Sequence, residues 1–365
     1  MSAAGVIRVL VLGPARWAPS GVATHVNRLF ESNLAAEFSL AHFQVGSEGR
    51  GESRVGALIR LMTSPLTFAA RLVRVRPRIV HINTSFDLKG YWRDVVYFVI
   101  AKALRRRVVY QIHGGALPAD FFPRSRMLTW FLRRMLSWSD AVVVLATCQL
   151  PAYREFAPRA RLVRIANGVP ACAAELRAER YLADRALETV YVGRLVASKG
   201  ILEAVDAVAL LRKRNVLVRL TIAGSGPAEG QIRQAIASAQ LEDCVRLSGA
   251  VFGEAKEQLW RAAHVFVLAT HREGLPYALL ESMACGVVPI VSPVGGIPDV
   301  VQDEVQGFLI PNRSPTALAD ALERLAKDRS RLYRMALAAQ AQVTRNYSMS
   351  RVEEEFKSLY HAVIR

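Results

Sequence analysis

Residues 271–301 read HREGLPYALLESMACGVVPIVSPVGGIPDVV, and this stretch decides the fold. Glu273 and Gly274 belong to a loop. Pro276 is expected at the first helical position, which proline favours because an N–H there has no intrahelical partner. The helix carries Glu281, eight residues after Glu273, and ends at Gly286. The short apolar run Val288–Val291 then reads as a buried strand, closed by a turn at Gly295-Gly296. A helix feeding a buried apolar strand is the repeating unit of a parallel sheet covered on both faces. The helix N-terminus can face an anion with its dipole, and Gly274 lets a ligand come close. Glu281, a turn and a half in, can hold two vicinal hydroxyls as a ribose presents them.

Working outward, the same alternation fills the chain. On the N-terminal side the strand candidates are Ile7–Leu12, Ser39–Val45, Ile79–Ile82, Val108–Ile112, Ala141–Leu145 and Arg161–Ile165. Helical segments at Val22–Ser32, Gly56–Val75, Trp92–Arg106 and Ser125–Ser137 lie between them. The pattern restarts with strands at Leu187–Val192, Val218–Ala223, Val245–Leu247, Val265–Leu268, Val288–Val291 and Gly307–Ile310. Helices at Ile201–Lys213, Gly230–Ala239, Ala255–Ala262, Pro276–Ala284 and Pro315–Lys327 intervene. The expectation is α/β: two doubly wound, Rossmann-like domains, residues 1–170 and 171–348, with Pro170–Asp184 as the linker. Met349–Ile364 places Val352, Phe356, Tyr360 and Val363 on one helical face. Such sheets bind ligands at the C-terminal ends of their strands.

The 365 residues contain 48 Lys plus Arg against 31 Asp plus Glu, net +17. The excess is local: residues 1–170 carry 24 basic and 9 acidic side chains, the remainder 24 and 22. That asymmetry points to an anionic partner for the first half, such as a membrane surface, nucleic acid or a phosphorylated substrate. Basic residues beside an apolar stretch at Val55–Val75, and around Phe121, Phe122, Trp130 and Phe131, suit an anionic bilayer surface. Cys148, Cys172, Cys244 and Cys285 match no metal or redox spacing and read as small buried hydrophobes of a reducing, cytoplasmic compartment. VIRVLVLG near the N-terminus is too short for a signal-peptide core and runs into a glycine turn, as a first strand does. No uncharged apolar run approaches the roughly 20 residues of a membrane span.

Two further loops carry chemistry. In LGPARWAPSGVATHV, residues 12–26, Gly21 opens a helix whose free N–H groups favour phosphate. In GRLVASKG, residues 193–200, Arg194 and Lys199 supply a fork-shaped donor and a point cation, both expected to aim outward from the sheet end. Taken alone the pair reads as a solvated loop. With a diphosphate, it can stabilise the charge that grows as a glycosidic bond to phosphate breaks.

SGVATHV, HGG at His113–Gly115, NGV at Asn167–Val169, GRLVASKG, IAGSGP and EGLPYALLESMACGVVPI together resemble the family 4 retaining glycosyltransferases (glycosyl transferases group 1). The resemblance covers essentially the whole chain and implies the GT-B fold, with two domains facing across a cleft and the last helix, 349–365, returning to the first domain. It implies that Arg194 and Lys199 bind the donor diphosphate and that Glu281 holds the ribose. Glu273, with the backbone of Gly274 and Leu275, would position the transferred sugar, and His113 would contact it near the reaction centre. Val251 and Phe252 would flank the base, and Gly21 would let the first loop approach the phosphates. The family often has Gly-Gly in that loop. Here Ser20 replaces the first glycine, still with an N–H and a hydroxyl to offer.

The activity so implied is transfer of a sugar, with retention, from a nucleotide-diphosphate sugar to a lipid-linked or polysaccharide glycan intermediate. No Asp-x-Asp occurs anywhere in the chain. The expectation is therefore no metal and no cofactor, the nucleotide sugar being a substrate. Two other readings stand beside it. A sugar-nucleotide epimerase of the same fold would need no acceptor. A non-enzymatic anionic-polymer binder would explain the charge, although no nucleic-acid motif is present.

Overall fold

The computed structural model describes residues 6–115, 117–172, 175–183 and 185–365. It divides into two compact units: Met1–Gly168 with Met349–Arg365, and Val169–Ser348. The division falls at Gly168/Val169, two residues before the boundary expected after residue 170.

The first unit runs β1 (Ile7–Gly13), α1 (Gly21–Glu31), α2 (Leu34–Glu37), β2 (Phe38–Gln44), α3 (Arg54–Val75), β3 (Ile79–Phe86) and α4 (Leu88–Ala103). It continues with β4 (Arg107–Gly115), α5 (Pro118–Phe121), α6 (Arg126–Trp138), β5 (Ala141–Val144), α7 (Gln149–Phe156) and β6 (Leu162–Arg164). The sheet order is β2-β1-β3-β4-β5-β6, all parallel. Alternate strand residues feed two cores. Leu10, Leu12, Val80, Ile82 and Tyr110 pack with Phe68, Tyr97, Phe98, Leu132 and Phe156 of α3, α4, α6 and α7. Val9, Val11, Ile79 and Val109 pack on the other face with Val26 and Leu29 of α1. The chain order reverses between β1 and β3, which makes their C-terminal ends a topological switch point.

The second unit begins with α8 (Ala178–Leu182), β7 (Leu187–Val192), α9 (Ile201–Lys213), β8 (Val218–Ala223), α10 (Glu229–Ser238), β9 (Val245–Gly249) and α11 (Gly253–Ala262). There follow β10 (Val265–Leu268), α12 (Tyr277–Ala284), β11 (Val288–Val291), α13 (Ile297–Val300), β12 (Phe308–Leu309), α14 (Pro315–Lys327) and α15 (Arg329–Asn346). Its sheet order, β12-β11-β10-β7-β8-β9, is parallel and reverses between β7 and β10. Helix α16 (Met349–Ile364) then rejoins the first unit.

Several expectations change. Helices α7 and α15 were not read from sequence; the buried stripe of α15, Leu332, Met335, Ala336, Ala339 and Val343, is partly alanine and so weakly apolar. Pro276 is the N-cap of α12 rather than its first helical residue, with ψ 129°. The stretch expected as a linker, part of which lies outside the described residues, is integral to the second unit. Tyr181 of α8 is buried and donates to the Gly286 carbonyl at 2.9 Å, and Arg180 donates to the carbonyls of Cys285 and Trp260. The cysteine reading fails at three positions. Cys172 and Cys285 form a disulfide across 113 residues, with Cα atoms 5.2 Å apart, and Cys148 is exposed. Disulfides are scarce in reducing compartments, so the cysteines no longer argue for one.

Helix α16 completes the second core of the first unit. Val352, Phe356, Leu359, Tyr360 and Val363 are all buried in it. Glu353 accepts from the Asn33 backbone and side-chain amides at 3.3 and 3.4 Å, and His361 meets Glu37. A Cβ on Gly168 would lie 2.7 Å from Val352 Cγ2, so the helix packs directly on backbone. Phe356 is fully buried, and Phe356→Ala should cost about 3–5 kcal/mol, the range for deleting a buried aromatic ring. Urea unfolding checks this. An unchanged midpoint would remove α16 from the core.

One position in that core is polar. His81 of β3 has no solvent exposure, donates from Nε2 to Gln111 Oε1 at 2.9 Å and accepts at Nδ1 from the Tyr360 hydroxyl at 2.7 Å. Burial lowers its pKa to about 4. Above pH 6.5 His81 is neutral in both folded and unfolded chains and adds no pH dependence. Between pH 6.5 and 4 the unfolded chain takes up a proton that the folded one refuses, so stability falls as pH falls, by about 1.4 kcal/mol per pH unit. Four of the five tryptophans lie in the first unit, so their fluorescence reports its unfolding. Urea midpoints at pH 7, 6 and 5 should decline more steeply in the wild type than in His81→Gln. Parallel declines would contradict the assignment.

Candidate active site

In the second unit, the candidate residues collect at the β7/β10 switch point. The loop after β7, Gly193–Gly200, is stitched down by backbone. Leu195 N–H donates to the Ser225 carbonyl, His271 N–H to the Ser198 carbonyl, and the Tyr191 hydroxyl to the Arg194 carbonyl at 2.8 Å. Gly200 has φ +71°, and a Cβ there would lie 2.1 Å from the Ala269 carbonyl oxygen. No other residue allows the β7 and β10 loops to approach so closely. That approach puts Lys199 against Glu273: the ammonium donates to Oε1, with both side chains largely buried. The outward aim expected of both cations therefore holds only for Arg194, which is exposed. Lys199 folds onto the carboxylate.

The segment after Glu273 is held by the next loop. Gly296 N–H donates to the Gly274 carbonyl at 2.6 Å, and a Cβ on Gly295 would strike the Glu273 carbonyl at 2.0 Å. Leu275 is buried beneath the start of α12. Glu281, on the second turn of α12, ion-pairs with Lys256 of α11 at 2.5 Å. Sequence reasoning missed Lys256; it lies in GEAKEQLW, an ordinary polar helix face with nothing to single it out. Val251 and Phe252 immediately precede α11, Phe252 as its N-cap and 64% exposed. An exposed aromatic on that loop offers a free face for stacking.

In the first unit, the candidate residues sit at the C-terminal ends of β1, β3 and β4. Gly21 opens α1 and is exposed, with open space where a Cβ would stand. Ser20 is more committed than expected. Its hydroxyl accepts from Ala23 N–H as the N-cap, and its own N–H donates to the Ala18 carbonyl at 2.8 Å. His113 ends β4. Its Nε2 lies 2.9 Å from Asn83 Oδ1, and its ring is edge-on to His25, centroids 4.6 Å apart. Burial and the neighbouring His81 lower the His113 pKa to about 3, so the imidazole is neutral. Asn83 was also missed, hidden inside the strand run IVHINTSF.

Comparison with known proteins matches the chain to one family. Residues 2–168 match the family model for a glycosyl transferase 4-like domain, and residues 174–342 match that for glycosyl transferases group 1. The chain is 34% identical over 168 residues to the amylovoran biosynthesis glycosyltransferase AmsK of Erwinia amylovora, 44% of this chain and 41% of that one. It is 28% identical over 287 residues to the alpha-D-kanosaminyltransferase of Streptomyces kanamyceticus, 73% of each. It is also 27% identical over 341 residues to a GDP-mannose-dependent alpha-(1-6)-phosphatidylinositol monomannoside mannosyltransferase of Mycobacterium tuberculosis, covering 87% of this chain and 88% of that one. The match thus spans less than half of the amylovoran relative and most of the other two. Sucrose-phosphate synthase from Thermosynechococcus elongatus shares the fold with a TM-score of 0.78 at 19% identity, over 97% of this chain and 98% of that one. Anabaena HepE, in complex with UDP-glucose, shares it at 0.75 and 16%, over 98% and 100%. With two parallel six-stranded sheets, both family models matched and GT-B neighbours along its length, the chain belongs to the group 1 glycosyltransferases of the family 4 type and is a transferase.

Proposed function

We propose that this transferase moves a sugar from a nucleotide-diphosphate sugar to a lipid-linked or polysaccharide glycan intermediate, with retention and without a metal. The observation that carries this reading is the pair of acid–lysine contacts around α12, Lys199 with Glu273 and Lys256 with Glu281. Relatives named for amylovoran biosynthesis and for phosphatidylinositol monomannoside mannosylation support such an acceptor, and the UDP-glucose complex of HepE supports such a donor. Arg194 and Lys199 hold the diphosphate, Glu281 accepts from the ribose hydroxyls, and Val251 and Phe252 flank the base. Glu273, with the backbone of Gly274 and Leu275, positions the sugar. His113 contacts the sugar, and Gly21 admits the phosphates to the first loop. The acceptor hydroxyl attacks the anomeric carbon as the bond to the diphosphate oxygen breaks. The electron pair leaves with the diphosphate, which takes the acceptor proton on the same face. The cations stabilise the departing charge in place of a metal.

Radiolabelled nucleotide sugars incubated with membrane extract should label a glycan, and labelling should survive excess EDTA. Lys199→Ala should lower turnover by about 100-fold, the scale of losing one group that stabilises a transition-state charge. Glu281→Ala should weaken donor binding by about 1.5–3 kcal/mol. Isomerised donor without transfer would replace the transferase reading with an epimerase, and abolition by EDTA with rescue by Mn²⁺ would overturn metal independence.

The surface of the first unit supports a membrane setting for the acceptor. No helix among the described residues is long and apolar enough to cross a membrane. Yet α3, α4 and α6, all packed on one face of the sheet, expose Leu58, Ile59, Met62, Leu66, Trp92, Val99, Trp130 and Phe131. Residues 54–138 hold 16 basic and three acidic side chains. Exposed apolar side chains on helices of one face, among many basic residues, suit a peripheral, cytoplasmic-side contact with an anionic bilayer. Each basic group near such a surface contributes about 1 kcal/mol, screened by salt. The protein should sediment with anionic vesicles at low salt, less with neutral ones, and be released by high salt. Replacing Leu58, Ile59, Met62 and Leu66 with Ser should reduce sedimentation while donor binding stays. Equal binding to neutral and anionic vesicles, or none to either, would leave a soluble acceptor.

A further inference from the structure

The surroundings of His113 in the first unit dictate which nitrogen it can offer. Asn83 sits on β3 between β1 and β4, and its amide is engaged at both ends. Nδ2 donates to the Leu12 carbonyl at 3.1 Å, which only the NH₂ end can do. The other end, Oδ1, therefore faces His113 Nε2 at 2.9 Å. An amide oxygen cannot donate, so the hydrogen in that contact belongs to the imidazole. The Leu12 carbonyl is fixed by the pairing of β1 with β3, where Leu12 faces Ile82. The orientation of Asn83 is thus set by the sheet and not by a rotatable side chain elsewhere.

A second layer holds the ring's plane. His25 of α1 is buried, its ring 4.6 Å from that of His113. Gln111 is buried on β4 and accepts from His81, which accepts in turn from Tyr360 of α16. Phe356 of α16 packs against both His25 and His81. Three imidazoles lie together here, and burial lowers the pKa of each, so none competes as a cation. Among the described residues nothing donates to His113 Nδ1.

We propose that Asn83 is a positioning residue that holds His113 as the neutral Nε2–H tautomer, so that His113 meets the transferred sugar only as a hydrogen-bond acceptor, through the Nδ1 lone pair. The second half rests on the reading of His113 as a sugar contact. It defines a specificity. The sugar must present a hydroxyl whose proton points at Nδ1, and a donor that lacks or methylates that hydroxyl loses the contact. It also excludes His113 as a general acid, because its one proton is spent on Asn83.

The tautomer is read directly by long-range ¹H–¹⁵N correlation on ¹⁵N-histidine-labelled full-length protein, with the His113 signals assigned by their loss in His113→Asn. The expected wild-type pattern is a protonated Nε2 and an unprotonated Nδ1. Asn83→Asp keeps an acceptor and should keep that pattern. Asn83→Ala should shift it toward a mixture of tautomers and lower kcat roughly ten-fold, with the KM for donor unchanged, as for other removed orienting partners of histidine. A wild-type Nδ1–H tautomer would overturn the proposal, as would an unaltered pattern in Asn83→Ala. If the tautomer stands but His113→Ala keeps full turnover, the sugar contact fails and the acceptor assignment with it.

Discussion

The contact on which the candidate donor site depends is backbone against backbone at the β7/β10 switch point. Gly200 meets the Ala269 carbonyl, and Gly295 meets the Glu273 carbonyl, both at separations that exclude a Cβ. Strand reversal opens a crevice there in any sheet of this order. Here the crevice is narrowed until three loops share hydrogen bonds, so the side chains of Lys199 and Glu273 are positioned by main chain. Main-chain positioning costs little reorganisation when a ligand arrives, which is what electrostatic stabilisation of a leaving group requires.

The first unit solves the same problem with side chains. Its switch point lies between β1 and β3, and the group that bridges the two strands is Asn83, buried and engaged at both ends. Unpaired, such an amide would cost about 1–3 kcal/mol in the core. Paired, it ties His113 to the register of the sheet. The polar layer behind it, His25, His81, Gln111 and Tyr360, is closed by α16. The returning helix therefore serves both the apolar core and the orientation of a site residue. Phe356 and Tyr360, one turn apart, do the first and the second respectively.

Much of this was legible in the sequence because it rests on local patterns. Apolar β-branched runs located every strand, most of them within a residue or two, although β3 runs four and β4 three residues past their expected ends, and the spacing of Val352, Phe356, Tyr360 and Val363 gave α16. The E-x7-E segment brought Glu273, Gly274, Leu275 and Glu281 into view together. What escaped depends on partners distant in sequence. Lys256 matters only because α11 lies beside α12. Asn83 sits in an otherwise apolar strand, and its meaning comes from the strands on either side. The Cys172–Cys285 bridge closes 113 residues and has no spacing signature. Helix α15 hid because alanine fills much of its buried face.

The two acid–lysine pairs carry the last step of the reasoning. A carboxylate and an ammonium in partial burial relieve each other's desolvation, so each pair is a settled state of the protein without ligand. On the proposed reading, a nucleotide-diphosphate sugar would offer Lys199 a more highly charged partner than Glu273, and would offer Glu281 hydroxyl donors in place of Lys256. Binding would then exchange partners instead of recruiting bare charges, with much of the cost of desolvating each group met before the donor arrives. On that reading Glu273, released from Lys199, would be left as an acceptor beside the sugar, while Lys199 would turn to the phosphates. The Lys199–Glu273 contact would couple the two events, because one ammonium cannot fully satisfy both. That coupling is what an acid and a lysine on facing loops at the switch point would supply under the proposed function.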